Sequence, residues 1–163
     1  MFTNKIKLNK FDIYSIIVII FAFVLDRYSK ILVIKMIEAN QSAILINDYL
    51  NITLNWNRGI AFGLLSFNAT TIYHLISILI LTIIIYLIYL MVKSDSMGKI
   101  IFAFIIGGAI GNLYDRFNYY AVPDFIDFHI KTFHWFTFNL ADIFISIGIF
   151  LMIIKEFFFK PSL

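Results

Sequence analysis

The chain has 163 residues, 61% of them hydrophobic and 14% charged, with a net charge of +3. A soluble domain averages about 45–50% apolar and about 25% charged, so lipid rather than water is the expected surrounding. The small, scattered positive charge excludes a phosphate-binding stripe, and the absence of cysteine excludes disulfides, thiolate metal sites and a cysteine nucleophile.

The N-terminal MFTNKIKLNK leads into an apolar run with no small-x-small cleavage site, so it reads as a retained first span and not a cleaved leader. A helix needs about 20 residues to cross the hydrocarbon. Spans are predicted at about 11–36, 71–92, 98–117 and 137–157, in one domain over 1–163. Outer segments fall at about 37–70 and 118–136. Lys5, Lys7, Lys10, Lys93, Lys99, Lys155 and Lys160 lie on one side of these spans, against Lys35, Arg58 and Lys131 on the other. The positive-inside rule then places both termini and the 93–99 loop in the cytoplasm.

Within the first outer segment, Leu50, Ile52, Leu54 and Trp56 alternate with Asn51, Thr53, Asn55 and Asn57. This predicts a strand with one apolar face, followed by a turn at Arg58-Gly59. The fold class is therefore an all-α membrane protein with four transmembrane helices and a small extracytoplasmic β-sheet at the outer interface.

Counting along the spans exposes a polar layer. Asp26 stands 16 residues after Lys10, and Asp115 stands 16 after Lys99. Asn139 and Asp142 precede Lys155 by 16 and 13. At 1.5 Å per residue all lie roughly 20–24 Å from the inner surface, and charges at that depth usually face a polar interior. Asp26 with Lys30, Asn112 with Arg116, and Asn139 with Asp142 are spaced to share helix faces. Gly107, Gly108 and Gly111 permit close helix approach just below Asn112. Asp124 and Asp127 follow on the outer side and could fold back over the layer. For Asp26–Lys30 a purely structural ion pair is as good a reading as a functional one. For Asp115 the structural reading is the better, with the nearby asparagine and arginine as its partners.

Several hydrolytic schemes can be compared. There is no His-Glu-x-x-His helix for zinc. His129 and His134 with Asp127 are an alternative ligand set, but no metal or other cofactor is assigned to the reaction. Ser66, Ser77 and Ser146 have no evident base nearby. Paired aspartates remain, since two close carboxylates retain one proton that serves acid–base chemistry. Depth alone does not rank Asp26, Asp115 and Asp142.

Several blocks then carry a resemblance. Gly107-Gly108-Ala109-Ile110-Gly111-Asn112-Leu113-Tyr114-Asp115-Arg116, Val122-Pro123-Asp124-Phe125-Ile126-Asp127-Phe128 and Phe138-Asn139-Leu140-Ala141-Asp142 are the longest. Asp26-x-x-x-Lys30 and Asn57-Arg58-Gly59-Ile60-Ala61-Phe62 accompany them in order along the chain. Together they resemble the signature of bacterial lipoprotein signal peptidase, or signal peptidase II. Ile60, where a small residue is common, and Pro123 are modest departures.

The resemblance implies an aspartic endopeptidase of the bacterial cytoplasmic membrane, multi-pass, with its active site near the outer face. It would cleave prolipoproteins on the N-terminal side of a diacylglyceryl-modified cysteine. Asp124 and Asp142 would be the catalytic pair. Asn57, Asn112, Arg116 and Asn139 would bind or orient, and Asp26, Lys30 and Asp115 would support; Asp127, only three residues after Asp124, reads as a structural or orienting acid. The outer strands would cradle the substrate. Partners would be the lipid-modified prolipoprotein and membrane lipid, with no nucleic acid and a functional monomer. The chain after the third span must then bring Asp124 back to Asp142. A small proton-coupled transporter or channel is the alternative from another class, but the inner parts of the spans offer it no polar path.

Overall fold

A computed structural model describes residues 9–40, 42–59 and 69–158. Ile60, Ala61, Phe62, Ser66, Lys5, Lys7 and Lys160 lie outside the described residues. The element order is α1 (Lys10–Asn40), β1 (Ile44–Leu45), β2 (Leu50–Asn57), α2 (Ala69–Lys93), α3 (Ser96–Tyr119), β3 (Val122–Ile130), β4 (Phe133–Phe138) and α4 (Leu140–Phe158). The protein is thus mostly helical with a small antiparallel sheet, in the order β1-β2-β3-β4.

The helices form where long apolar runs lack Pro. Residues Tyr73–Lys93 and Ser96–Tyr119 are both long and apolar enough to cross a membrane. The outward surfaces of α1 and α2 carry Ile17, Phe21, Leu75, Leu79 and Ile85, each close to or above half exposed. A water-facing surface rarely shows so continuous an apolar area.

Helix α3 is the centre, packing on α1, α2 and α4. Its glycines make this possible. A methyl group on Gly107 would lie 2.7 Å from the Ala22 Cβ of α1, and one on Gly108 would lie 2.4 Å from the Ala141 carbonyl oxygen of α4. Against α2 the same helix packs Ile106 and Leu113 on Ile84, with Ile80 and Leu87 around them. At one end of the bundle Lys99 bonds Asp12 and Lys155 bonds Asp95. Asp95 also caps α3 by accepting from Gly98 N–H at 3.0 Å.

The strand expected from alternation is β2, but its faces are not uniform. Asn55 pairs with Asp124 and Ile52 with Ile126, so β2 spends one residue more than β3 between these pairs. This bulge reverses the facing of the first half of the strand. Asn51 is consequently buried opposite Asp127, while Asn55 and Asn57 share the face of Asp124. The last span was expected to begin near 137, yet Phe133–Phe138 is strand and α4 starts at Leu140. Aromatic and β-branched residues suit a hairpin there, and Asn139 supplies the helix cap that ends it.

Candidate active site

Asn139 organises the polar layer. It is the N-cap of α4 and not a helix-face residue, so its expected i,i+3 pairing with Asp142 takes the form of a cap. The Asn139 N–H donates to Asp142 Oδ2 at 3.1 Å, and the Asp142 N–H donates to Asn139 Oδ1 at 3.2 Å. This reciprocal capping box fixes the Asp142 carboxylate at the helix N-terminus. The side-chain amide of Asn139 is left to donate to Asp124 Oδ1 at 2.6 Å. One fully buried residue therefore joins both aspartates.

Asp124 reaches this position because Tyr120, at φ 52°, ends α3 in a left-handed cap and turns the chain back as β3. Its second oxygen accepts from Asn57 Nδ2 at 2.9 Å. Asn57 is itself aimed by a local turn, since its Oδ1 accepts the N–H of Gly59, whose φ is +70°. Burial pushes the Asp124 carboxyl above the ordinary carboxylate range. The Asn57 and Asn139 amides oppose that rise, and the charge of Asp142 adds to it.

Behind Asp142 the network continues through the helices. Asn112 Nδ2 donates to Asp142 Oδ1 at 2.8 Å, and Lys30 Nζ donates to Asn112 Oδ1 at 2.9 Å. Lys30 also donates to Asp26 Oδ2 at 2.9 Å and to Asp115 Oδ2 at 2.6 Å. Asp26 Oδ1 accepts the Ala141 N–H at 3.0 Å, placing a carboxylate of α1 on the first turn of α4. Gly111 leaves room for that carboxylate, since a methyl group there would stand 2.5 Å from Asp26 Oδ2.

Asp115 is satisfied differently from the expectation. Its partners are Lys30 and Arg27, not Arg116 and Asn112. Arg27 also lies over the Tyr114 ring, 4.9 Å from its centroid. Helix-face spacing passed over Arg27 because it is one residue off the Asp26–Lys30 face. The usable signal was that an arginine inside a span needs a partner. Arg116 Nη1 donates to the main-chain carbonyl of Asn112 at 2.9 Å.

Two carboxylates tied to one asparagine, one of them desolvated, can hold a proton and accept another. Beside them is a cavity of about 440 Å³ lined by Phe136, Phe138, Asp142, Ile143, Ser146 and Ile147. Among the described residues its wall is apolar apart from Ser146 and the Asp142 carboxylate. Asp127 lies on the opposite face of β3 from Asp124, where His134 Nδ1 is 2.7 Å from its Oδ2.

Residues 18–158 match the family described as signal peptidase (SPase) II. The lipoprotein signal peptidase of Pelagibacter ubique (strain HTCC1062) is 50% identical over 158 residues, covering 96% of this chain and 95% of that protein. The lipoprotein signal peptidase of Anaplasma phagocytophilum (strain HZ) is 40% identical, covering 89% and 92%. Two solved bacterial membrane enzymes, determined by the in meso method, have the same fold. One has a TM-score of 0.70 at 31% identity and covers 91% of this chain and 94% of its own. The other has 0.67 at 29%, covering 92% and 93%. With the match running through every element that carries the polar layer, this chain belongs to the signal peptidase II family and is a membrane protease.

Proposed function

We propose that this protein is an aspartic endopeptidase that removes signal peptides from diacylglyceryl-modified prolipoproteins, cutting on the N-terminal side of the lipidated cysteine. The observation that carries the mechanism is Asn139, which bonds Asp124 with its amide and Asp142 with its backbone. The two carboxylates share one proton between them. The ionised member takes a proton from water as the water oxygen attacks the scissile carbonyl, and the protonated member donates to the carbonyl oxygen. Collapse of the tetrahedral intermediate breaks the C–N bond, and a carboxyl proton passes to the leaving amine. The proton belongs to the pair and not to one residue. Asn57, Asn112, Arg116 and Asn139 hold the pair and the substrate, while Asp26, Lys30 and Asp115 brace it from behind.

In this reading 1–163 is one domain and all four helices span the cytoplasmic membrane, with both termini inside. Support comes from Lys10, Lys93, Lys99 and Lys155, which fall at alternating ends of successive helices and so at one end of the bundle. The dyad then lies near the outer face, and a monomer suffices. The apolar recess beside Asp142 is suited to an acyl chain or signal segment, whose binding positions the scissile bond.

Cleavage is expected only for prolipoprotein bearing the lipid-modified cysteine, measured with purified enzyme in lipid vesicles. Equal turnover of the unmodified cysteine form would remove the lipid from recognition. A pH profile gives a second check. Asn57 favours the ionised form of Asp124 through its hydrogen bond, so Asn57→Ala should raise that carboxyl's proton affinity further. The alkaline limb of kcat/KM, which reports loss of the shared proton, is then expected to move to higher pH. An unmoved limb, or one moved to lower pH, would contradict the assignment of Asp124.

A further inference from the structure

We infer that the face of the sheet opposite Asp124 is a binding site for a divalent, imidazole-preferring metal ion, with Asp127, His129 and His134 as ligands. It is separate from the hydrolytic pair and rests on none of the reading above. The site is built by sheet geometry. Asp127 and His129 are two apart on β3 and so share a face. His134 joins them through a bulge. Phe128 pairs with Phe136 and His129 with His134, so β4 carries one extra residue, Trp135, at this point. In a regular register His129 would stand opposite Trp135, and His134, opposite Ile130, would point to the other face. The bulge in β2 acts in the same way on Asn51, turning it to stand opposite Asp127. Two separate register shifts thus bring four polar residues together.

The ligand atoms of Asp127, His129 and His134 all lie within 4.8 Å of one another. His129 Nδ1 is 3.9 Å and His134 Nδ1 2.7 Å from Asp127 Oδ2. A tetrahedral ion with ligands at about 2.0–2.2 Å needs them roughly 3.4 Å apart. The His134–Asp127 pair is shorter than this and the His129–Asp127 pair longer, and His134, more than half exposed on the edge strand β4, has room to shift.

An independent feature points the same way. Among the described residues, His129 is 8% exposed and its Nδ1 has no hydrogen-bond partner. Asn51 is 7% exposed, and its Oδ1 has none either. Buried polar atoms are rarely left so, and an ion would satisfy the first directly and the second as a further ligand or through its water. Both residues line a cavity of about 570 Å³ between β1, β2 and the β3–β4 turn, which gives an ion an entry path. Two imidazoles and one carboxylate favour zinc-like ions over magnesium or calcium, which take all-oxygen sets. Bound there, the ion would staple the edge strand β4 to β3, the strand whose other face carries Asp124.

The test uses the full chain in detergent, with any purification tag removed and stripped by chelator, titrated with Zn²⁺ by calorimetry and elemental analysis after dialysis. One ion per chain is expected. Binding should weaken by at least about tenfold in His134→Ala, whose exposed position spares the fold, and similarly in His129→Ala. Asp124→Asn should bind as the parent does, which separates this site from the hydrolytic pair. Failure of the parent to bind zinc saturably at one to one, or unchanged binding in His134→Ala, would overturn the proposal.

Discussion

Asp124→Asn and Asp142→Asn are each expected to cut prolipoprotein cleavage by at least about 10³-fold while the protein remains folded. An amide neither takes the proton from water nor holds the shared one, and general acid–base contributions of this kind run to about 10²–10⁴-fold. The two variants should differ in stability. Asp124 accepts from two side-chain amides, one of them on exposed Asn57, which can turn away from a new donor. Asp142 accepts from the Asn139 N–H and from Asn112, and Asn112 is held by Lys30. An amide at position 142 therefore sets donor against donor, which costs about 1–3 kcal/mol when buried. Cleavage assays on lipid-modified substrate, paired with thermal unfolding of each variant, read both effects. Normal processing by either variant would take that residue out of the pair.

Lys30→Met is expected to destabilise the protein by about 3–5 kcal/mol, the usual cost of removing one partner from a buried ion cluster. Lys30 is fully buried and donates to Asp26, Asp115 and Asn112. Without it two buried carboxylates face each other, and among the described residues Arg27 alone remains paired with Asp115. For a chain of this size the loss corresponds to a fall of roughly 6–20 °C in Tm. Adding Asp26→Asn should recover part of it by removing one uncompensated charge. A fall of under about 1 kcal/mol in lipid nanodiscs would mean that the cluster does not hold the helices together. Because Lys30 also anchors Asn112, cleavage should fall even at temperatures where the variant stays folded.

Much of this was legible along the chain because it is local. The strand at Leu50–Asn57 follows from alternation, the Asp26–Lys30 pair from helical spacing, and the close packing of α3 from Gly107, Gly108 and Gly111. Equal depth counts brought the layers of α1, α3 and α4 together, and they meet through Lys30, Asn112 and Asp142. Arg27 was missed because spacing on one helix says nothing about which neighbouring helix faces the next residue round.

The polar layer seen first in the sequence is therefore a property of composition and helical rise, which need no tertiary information. What only the tertiary structure decided is the connectivity inside it. Asn139 is a cap that grips two carboxylates because β4 ends where α4 begins. Asp124 enters the layer because a left-handed residue at Tyr120 returns the chain as β3. Bulges in β2 and β4 choose which face Asn51 and His134 occupy. A single extra residue in a strand reverses every side chain beyond it, and the choice of where to place it is made by pairing between strands distant in sequence.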